Sequence, residues 1–147
     1  MKIIEVREFS IDYYHAVEKL IAKLTNSPAS FSESFFKEIV SSPNSYFFLL
    51  LDEGSVAGML TIGTYKSPTG VKGWIEDVVV DEQYRGKGLG KKIMEHALSF
   101  TKSLGVDTLM LTSNPSRIAA NKLYHSLGFE QKETNVYKMV FGKITID

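Results

Sequence analysis

The sequence predicts an α/β domain built on a mixed sheet with helices on both faces. Strand-like apolar runs alternate with runs of helical spacing along 147 residues, and two β-rich runs flank a turn composition that signals an antiparallel hairpin. In addition, a glycine-rich turn joins an apolar run to an amphipathic helical pattern. The length is that of one domain, residues 1–147. A chain of this size buries roughly 68 to 70% of its unfolded surface without disulfide or metal staples.

Taken in order, Ile3 to Phe9 reads as a strand, and Val17, Leu20, Ile21 and Leu24 recur at helical spacing after Ser10, a capping residue. Pro28 closes that region. Phe35, Phe36, Ile39 and Val40 repeat the spacing up to Ser41-Ser42-Pro43. Tyr46 to Leu51 and Val56 to Tyr65 flank Asp52-Glu53-Gly54-Ser55 and predict the hairpin. Ser67-Pro68-Thr69-Gly70 makes the next turn, before a strand over Trp74 to Val80. A third helix runs from Gly88 to Leu104 with Leu89, Ile93, Ala97, Phe100 and Leu104 inward, and Gly105 stops it. Thr108 to Thr112 is a short buried strand, Ser116 caps a helix that Gly128 ends, and Val136 to Phe141 forms a last strand. The order is βααβββαβαβ.

Composition narrows the function. Seventeen basic residues balance seventeen acidic ones, so no overall field favours nucleic acid or an anionic membrane. The apolar run Tyr46 to Leu51 is far short of the ~20 residues that a membrane helix needs, and Met1-Lys2-Ile3 opens directly into a strand pattern. A cytoplasmic protein with neither membrane nor nucleic-acid partners is expected. The chain has no cysteine, which removes disulfides, thiolate metal sites and cysteine nucleophiles together. His15, His96 and His125 lie in separate helical patterns without metal-ligand spacing, so no metal is expected.

The chemistry concentrates in Gln83-Tyr84-Arg85-Gly86-Lys87-Gly88-Leu89-Gly90. Gly86, Gly88 and Gly90 let the backbone curl so that several NH groups approach one ligand. The helix start adds unpaired donors and a positive dipole end, and Arg85, Lys87, Lys91 and Lys92 add full charges. Phosphate is the natural guest. A P-loop would place a hydroxyl after its Gly-Lys, but Lys92 follows Lys91 here; a dinucleotide fingerprint would need Gly-x-Gly-x-x-Gly at the first strand-helix turn. Nucleotide hydrolysis and nicotinamide or flavin binding are therefore disfavoured.

Arg85-x-x-Gly88-x-Gly90 resembles the pyrophosphate loop of the GNAT superfamily, the general-control-related N-acetyltransferases. A second element follows about thirty residues on: Asn114-Pro115, then Ala119-Ala120-Asn121-Lys122-Leu123-Tyr124 and a close at Gly128-Phe129, similar to the family's downstream motif. The resemblance covers roughly Trp74 to Phe129. It implies the GNAT fold, acetyl-CoA as co-substrate and an amine acceptor. It also implies a homodimer, by analogy, with the last strand as a means of pairing subunits. Ile75 to Gly90 further resembles the amino-sugar phosphate acetyltransferases of the superfamily, although no basic residues for a phosphorylated acceptor stand out.

Under that reading Arg85, Gly86, Lys87, Gly88, Leu89, Gly90 and Lys91 hold the diphosphate, and the backbone of Val78, Val79 and Val80 serves the pantetheine arm and the oxyanion. Glu76, on the strand that ends at the cofactor, is the first candidate base; strict alternation puts it on a face with Trp74 and Val78, with Asp77 opposite unless a β-bulge intervenes. The resemblance assigns Tyr124 as the acid that protonates the departing thiolate. It makes Asn114 and Asn121 either contacts of the pantetheine arm or residues that fix the local loop. A small-molecule amine is the preferred acceptor. A protein N-terminus or lysine, or a non-catalytic CoA-binding module, is the alternative.

Overall fold

Serine hydroxyls decide where the first two helices begin. After strand β1 (Lys2–Glu5), Ser10 accepts the Tyr13 NH at 3.3 Å and α1 (Ile11–Leu24) follows. Ser32 accepts the Phe35 NH at 3.1 Å and starts α2 (Glu33–Ser41). The computed structural model describes residues 1–25 and 31–142, so the break expected at Pro28 lies outside the described residues. The described chain falls into two compact units, one over Met1–Leu111 and one from Thr112 onward.

The first unit continues with β2 (Ser45–Asp52), β3 (Ser55–Ser67), β4 (Gly70–Val80), a 3₁₀ turn (Glu82–Tyr84), α3 (Leu89–Ser103) and β5 (Thr108–Met110). Its sheet has the order β1-β2-β3-β4-β5, antiparallel except for the parallel β4-β5 pair, which makes it mixed as expected. Glu53 (φ 50°) and Gly54 (φ 84°) both take left-handed backbone between the paired Asp52 and Ser55, the geometry of a tight hairpin turn. Pro68 and Thr69 form the next two-residue turn. Ser67 therefore pairs with Gly70, and β4 begins well ahead of the expected Trp74.

Alternation assigns the two faces. Phe47, Leu49, Met59 and Val79 pack with Val6, Tyr14, Val17, Leu20, Phe36 and Val40 in one core under α1 and α2. Phe36 has no exposed surface and its ring meets those of Phe9, Phe31 and Phe47 at 6.0, 5.5 and 5.6 Å. On the other face Phe48 meets Phe100 of α3 at 4.9 Å, and Leu50, Leu60 and Ile62 share its side by register. Leu89, Ile93, Met94, Ala97 and Thr101 are the buried face of α3.

Several boundaries differ from expectation. β1 stops at Glu5, with one further bond from the Val6 NH to Phe47 O at 2.9 Å, and Phe9 lies in the aromatic cluster instead of on the ladder. Leu104 is 36% exposed: it is the C-cap, where the helical stripe has run out, and Gly105 (φ 73°) ends the helix as anticipated. β5 is shorter than Thr108 to Thr112 and only half-buried, because it pairs on one side alone, over Lys72 to Trp74.

In the second unit α4 (Ile118–Ser126) ends before Gly128 (φ 98°), as predicted. Ser116 is not its cap. Asn114 Oδ1 takes the Ser116 NH at 2.9 Å, and that turn moves the helix start to Arg117, which offers no side-chain cap. The strand expected over Val136 to Phe141 is not formed. Among the described residues of this unit there is no strand to pair with it, and Tyr137, Met139 and Phe141 are exposed.

Phe36→Ala removes the centre of the aromatic cluster and should cost about 3–5 kcal/mol of unfolding free energy. Urea denaturation followed by far-UV circular dichroism measures it.

Candidate active site

β4 leaves its partner. β5 pairs with it only through Lys72, Gly73 and Trp74, so the outer edge of β4 from Ile75 to Val80 carries no ladder among the described residues. The Asp81 NH donates to Ala57 O at 2.8 Å, toward β3, so by alternation the NH and CO of Val80 point to that open edge. A splayed strand is able to pair with an extended, amide-bearing ligand.

A bulge sits in the same stretch. Met59 pairs with Val79 and Thr61 with Glu76, so Asp77 and Val78 together oppose Leu60. Asp77 takes φ 53°, a left-handed conformation that Asp tolerates better than most residues. Gly58 makes room beside it: a Cβ there would lie 2.6 Å from the Val79 carbonyl. The extra residue corrects the strict alternation of the sequence reading, since Glu76 shares its face with Trp74 and Val79 instead of Val78. That is the side covered by α1 and α2.

Glu76 and Asp77 both reach solvent, yet partial burial pushes each carboxyl above its ordinary pKa, and for Glu76 the neighbouring Asp77 charge adds to the effect. A carboxylate so placed takes up a proton more readily than a free one. Trp74 and Val78 are half-buried; the Val79 side chain belongs to the core, and by the same alternation its NH and CO face β3.

Beyond β4 the chain makes the 3₁₀ turn and then two left-handed glycines, Gly86 (φ 80°) and Gly88 (φ 71°). Gly88 is the N-cap of α3 and offers no side chain, in contrast to Ser10 and Ser32. The first bond into the helix is Lys92 NH to Gly88 O, at 3.2 Å. Six consecutive amides, Gly86 to Lys91, therefore donate to no acceptor among the described residues. The Arg85 NH is taken by Glu82 O at 3.1 Å, so Arg85 keeps its guanidinium alone for a ligand. Arg85, Lys91 and Lys92 are exposed and form no ion pair among the described residues; Lys87 lies 3.9 Å from Asp52. Leu89 is buried, anchoring the helix start. The whole is an anion cradle.

In the second unit, Asn121 Nδ2 donates to Asn114 O at 2.9 Å and to Arg117 O at 2.8 Å, so the two asparagines fix the local loop. Tyr124 is buried, its ring 6.1 Å from that of Phe129, and its hydroxyl has no hydrogen-bond partner among the described residues. Sequence reasoning passed over Lys23 and Asp81, which pair at 3.0 Å at the entry to the loop. An Asp just before Glu82-Gln83-Tyr84 is a cap signal that was available; its partner in α1 was not. No group of three or more His, Asp or Glu able to hold a metal occurs among the described residues, and none of the described helices is long and apolar enough to cross a membrane.

The chain matches the Acetyltransferase (GNAT) family over residues 7–129. It belongs to that family, whose members use acetyl-CoA as co-substrate. Glucosamine 6-phosphate N-acetyltransferase of Arabidopsis thaliana is 29% identical over 130 residues, 82% of this chain and 85% of the relative. Its crystal structure superposes with a TM-score of 0.79 at 28% identity, covering 94% of this chain and 97% of that one. N-acetylaspartate synthetase of Rattus norvegicus is 25% identical over 120 residues, 82% of this chain. The match takes in only 40% of the synthetase's length. [Ribosomal protein bS18]-alanine N-acetyltransferase of Escherichia coli K12 is 40% identical over 69 residues, 46% of this chain and 47% of the relative.

Gly88→Val adds strain at φ 71° although open space surrounds the position, so the fold should survive while the new side chain blocks the cradle. Calorimetry should find coenzyme A affinity reduced by roughly 100-fold or more, with at most a small drop in Tm.

Proposed function

We propose that the protein transfers acetyl from acetyl-CoA directly to the primary amine of a small molecule. The observation that carries the reading is the row of six free amides at Gly86 to Lys91, one short turn beyond the open edge of β4, in a chain of the GNAT family. The cradle takes the diphosphate, with charge from Arg85, Lys87 and Lys91, and the Val78 to Val80 backbone pairs with the pantetheine arm. The proposal treats the 147 residues as one catalytic domain acting in the cytoplasm, which the absence of cysteine suits, and as a homodimer.

An alkyl ammonium has a pKa near ~10.4, so about 4 kcal/mol separates it from the free amine at neutral pH. In the proposed reaction Glu76 takes that proton through water, and the nitrogen lone pair attacks the thioester carbonyl. Backbone NH of the Val78 to Val80 segment holds the oxyanion. Collapse breaks the C–S bond, and Tyr124 gives its proton to the departing thiolate. The phenolate so formed returns to the phenol by taking the proton that the new amide nitrogen sheds, and Glu76 releases its proton to solvent. With no cysteine nucleophile in the chain, transfer is direct, without an acetyl-enzyme.

The Arabidopsis relative, named for a small amino-sugar acceptor and matched over most of both chains, supports the small-molecule preference. The stronger identity to the ribosomal-protein acetyltransferase covers under half the chain, and it keeps a protein N-terminus as the second reading.

Thiol release from acetyl-CoA, followed across amino sugars, amino acids, polyamines and peptides, should show turnover with a small amine above that with any peptide. Glu76→Gln should lower kcat by roughly 10²–10⁴-fold, and it should remove the acid limb of the wild-type profile. In the wild type that limb should lie above the ordinary glutamate range, because the raised carboxyl loses its basic form as pH falls through its folded pKa. Tyr124→Phe should lower kcat with acetyl-CoA affinity unchanged; an unchanged rate removes its acid role.

A further inference from the structure

Asp81 is the residue on which the entry to the glycine loop turns. Its NH donates to Ala57 O at 2.8 Å, tying it to β3, and its carbonyl accepts the Tyr84 NH at 2.9 Å. Its Oδ1 accepts the Gln83 NH at 3.3 Å, which caps the 3₁₀ turn, and the same oxygen takes the Lys23 ammonium at 3.0 Å. The first bond holds β3, and the next two belong to the turn itself. The fourth reaches across to the last turn of α1.

That pair is better protected than the others on this surface. The Asp81 side chain is 15% exposed and that of Lys23 38%, whereas Lys87 and Asp52 stand 3.9 Å apart with the lysine 56% exposed. The Lys23 hydrogen bond leads the effects that lower the Asp81 pKa, and the Gln83 backbone works in the same direction, so the carboxylate is charged at neutral pH. The neighbouring titratable groups are Glu82 and Arg85 on the turn, and both are exposed.

The loop that follows needs an anchor. Gly86 and Gly88 give it more backbone freedom than any other pair of residues would, and ordering it on a ligand costs conformational entropy. We propose that Lys23 and Asp81 are positioning residues for acetyl-CoA: their ion pair latches the end of α1 to the start of the loop and holds the six amides in their binding arrangement. The inference rests on the reading that this loop takes the coenzyme diphosphate. It makes α1, the helix over the Glu76 face, part of the cofactor site without touching the cofactor.

The test uses calorimetry with coenzyme A and steady-state kinetics with acetyl-CoA on wild type, Lys23→Met, Asp81→Asn, the double variant and Lys23→Arg. Asparagine keeps an oxygen for the Gln83 NH and loses only the charge, so the 3₁₀ cap is retained. Each of Lys23→Met and Asp81→Asn should weaken coenzyme affinity about 3- to 5-fold, with kcat at saturating acetyl-CoA unchanged. The double variant should be no weaker than the weaker single, and Lys23→Arg should bind like wild type. Affinities within 2-fold of wild type, additive losses, or a fall in kcat at constant affinity overturn the latch. Should Asp81→Asn fail to fold, Lys23→Met and Lys23→Arg decide alone. If the wild type itself does not bind coenzyme A, the reading of the loop fails and not merely the latch.

Discussion

The ladder between β4 and β5 stops at Trp74, and the site depends on that break. An exposed strand edge is ordinarily a liability, because unpaired backbone groups invite pairing with another chain. Here the edge is interrupted by the bulge at Asp77 and Val78, and the 3₁₀ turn beyond it leads to six free amides at the start of α3. The same main-chain chemistry is therefore offered twice, along the edge from Ile75 to Val80 and again from Gly86 to Lys91. Side chains matter in it chiefly by being absent, as at Gly58, Gly86 and Gly88.

The bulge separates two tasks that would otherwise compete for one face. It puts Glu76 and Val79 together on the α1 and α2 side while the NH and CO of Val80 stay available along the edge. Carboxylates then lie on β4, at Glu76 and Asp77, and exposed cations on the loop and helix beyond it, at Arg85, Lys91 and Lys92, in a chain whose formal charge is zero. Separation of charge between strand and loop suits the proposed reaction, which draws a proton from a cation at one point and holds a polyanion at another.

Much of the fold was legible because it rests on local signals. Ser10, Gly54, Gly105 and Gly128 mark helix and turn ends by their own conformational preferences, and the apolar spacing located three of the helix faces. The glycine loop was legible for the same reason. What escaped depends on partners far along the chain. The bulge is set by the β3-β4 register, so alternation alone misassigned the face that Glu76 shares with Val78. Asn114 competes with Ser116 for the helix start through an Asx turn, and Val136 to Phe141 has strand composition without a strand beside it in its own unit. Lys23 and Asp81 lie 58 positions apart, and no local pattern announces that pair.

The central claim is that main-chain donors grip the coenzyme, and amide-resolved NMR during a coenzyme A titration tests it most directly. The backbone resonances of Gly86 to Lys91 should show the largest shifts and saturate together, with Val80 following as the pantetheine arm meets the strand edge. Saturable binding that leaves those amides unmoved while shifting resonances elsewhere would contradict it.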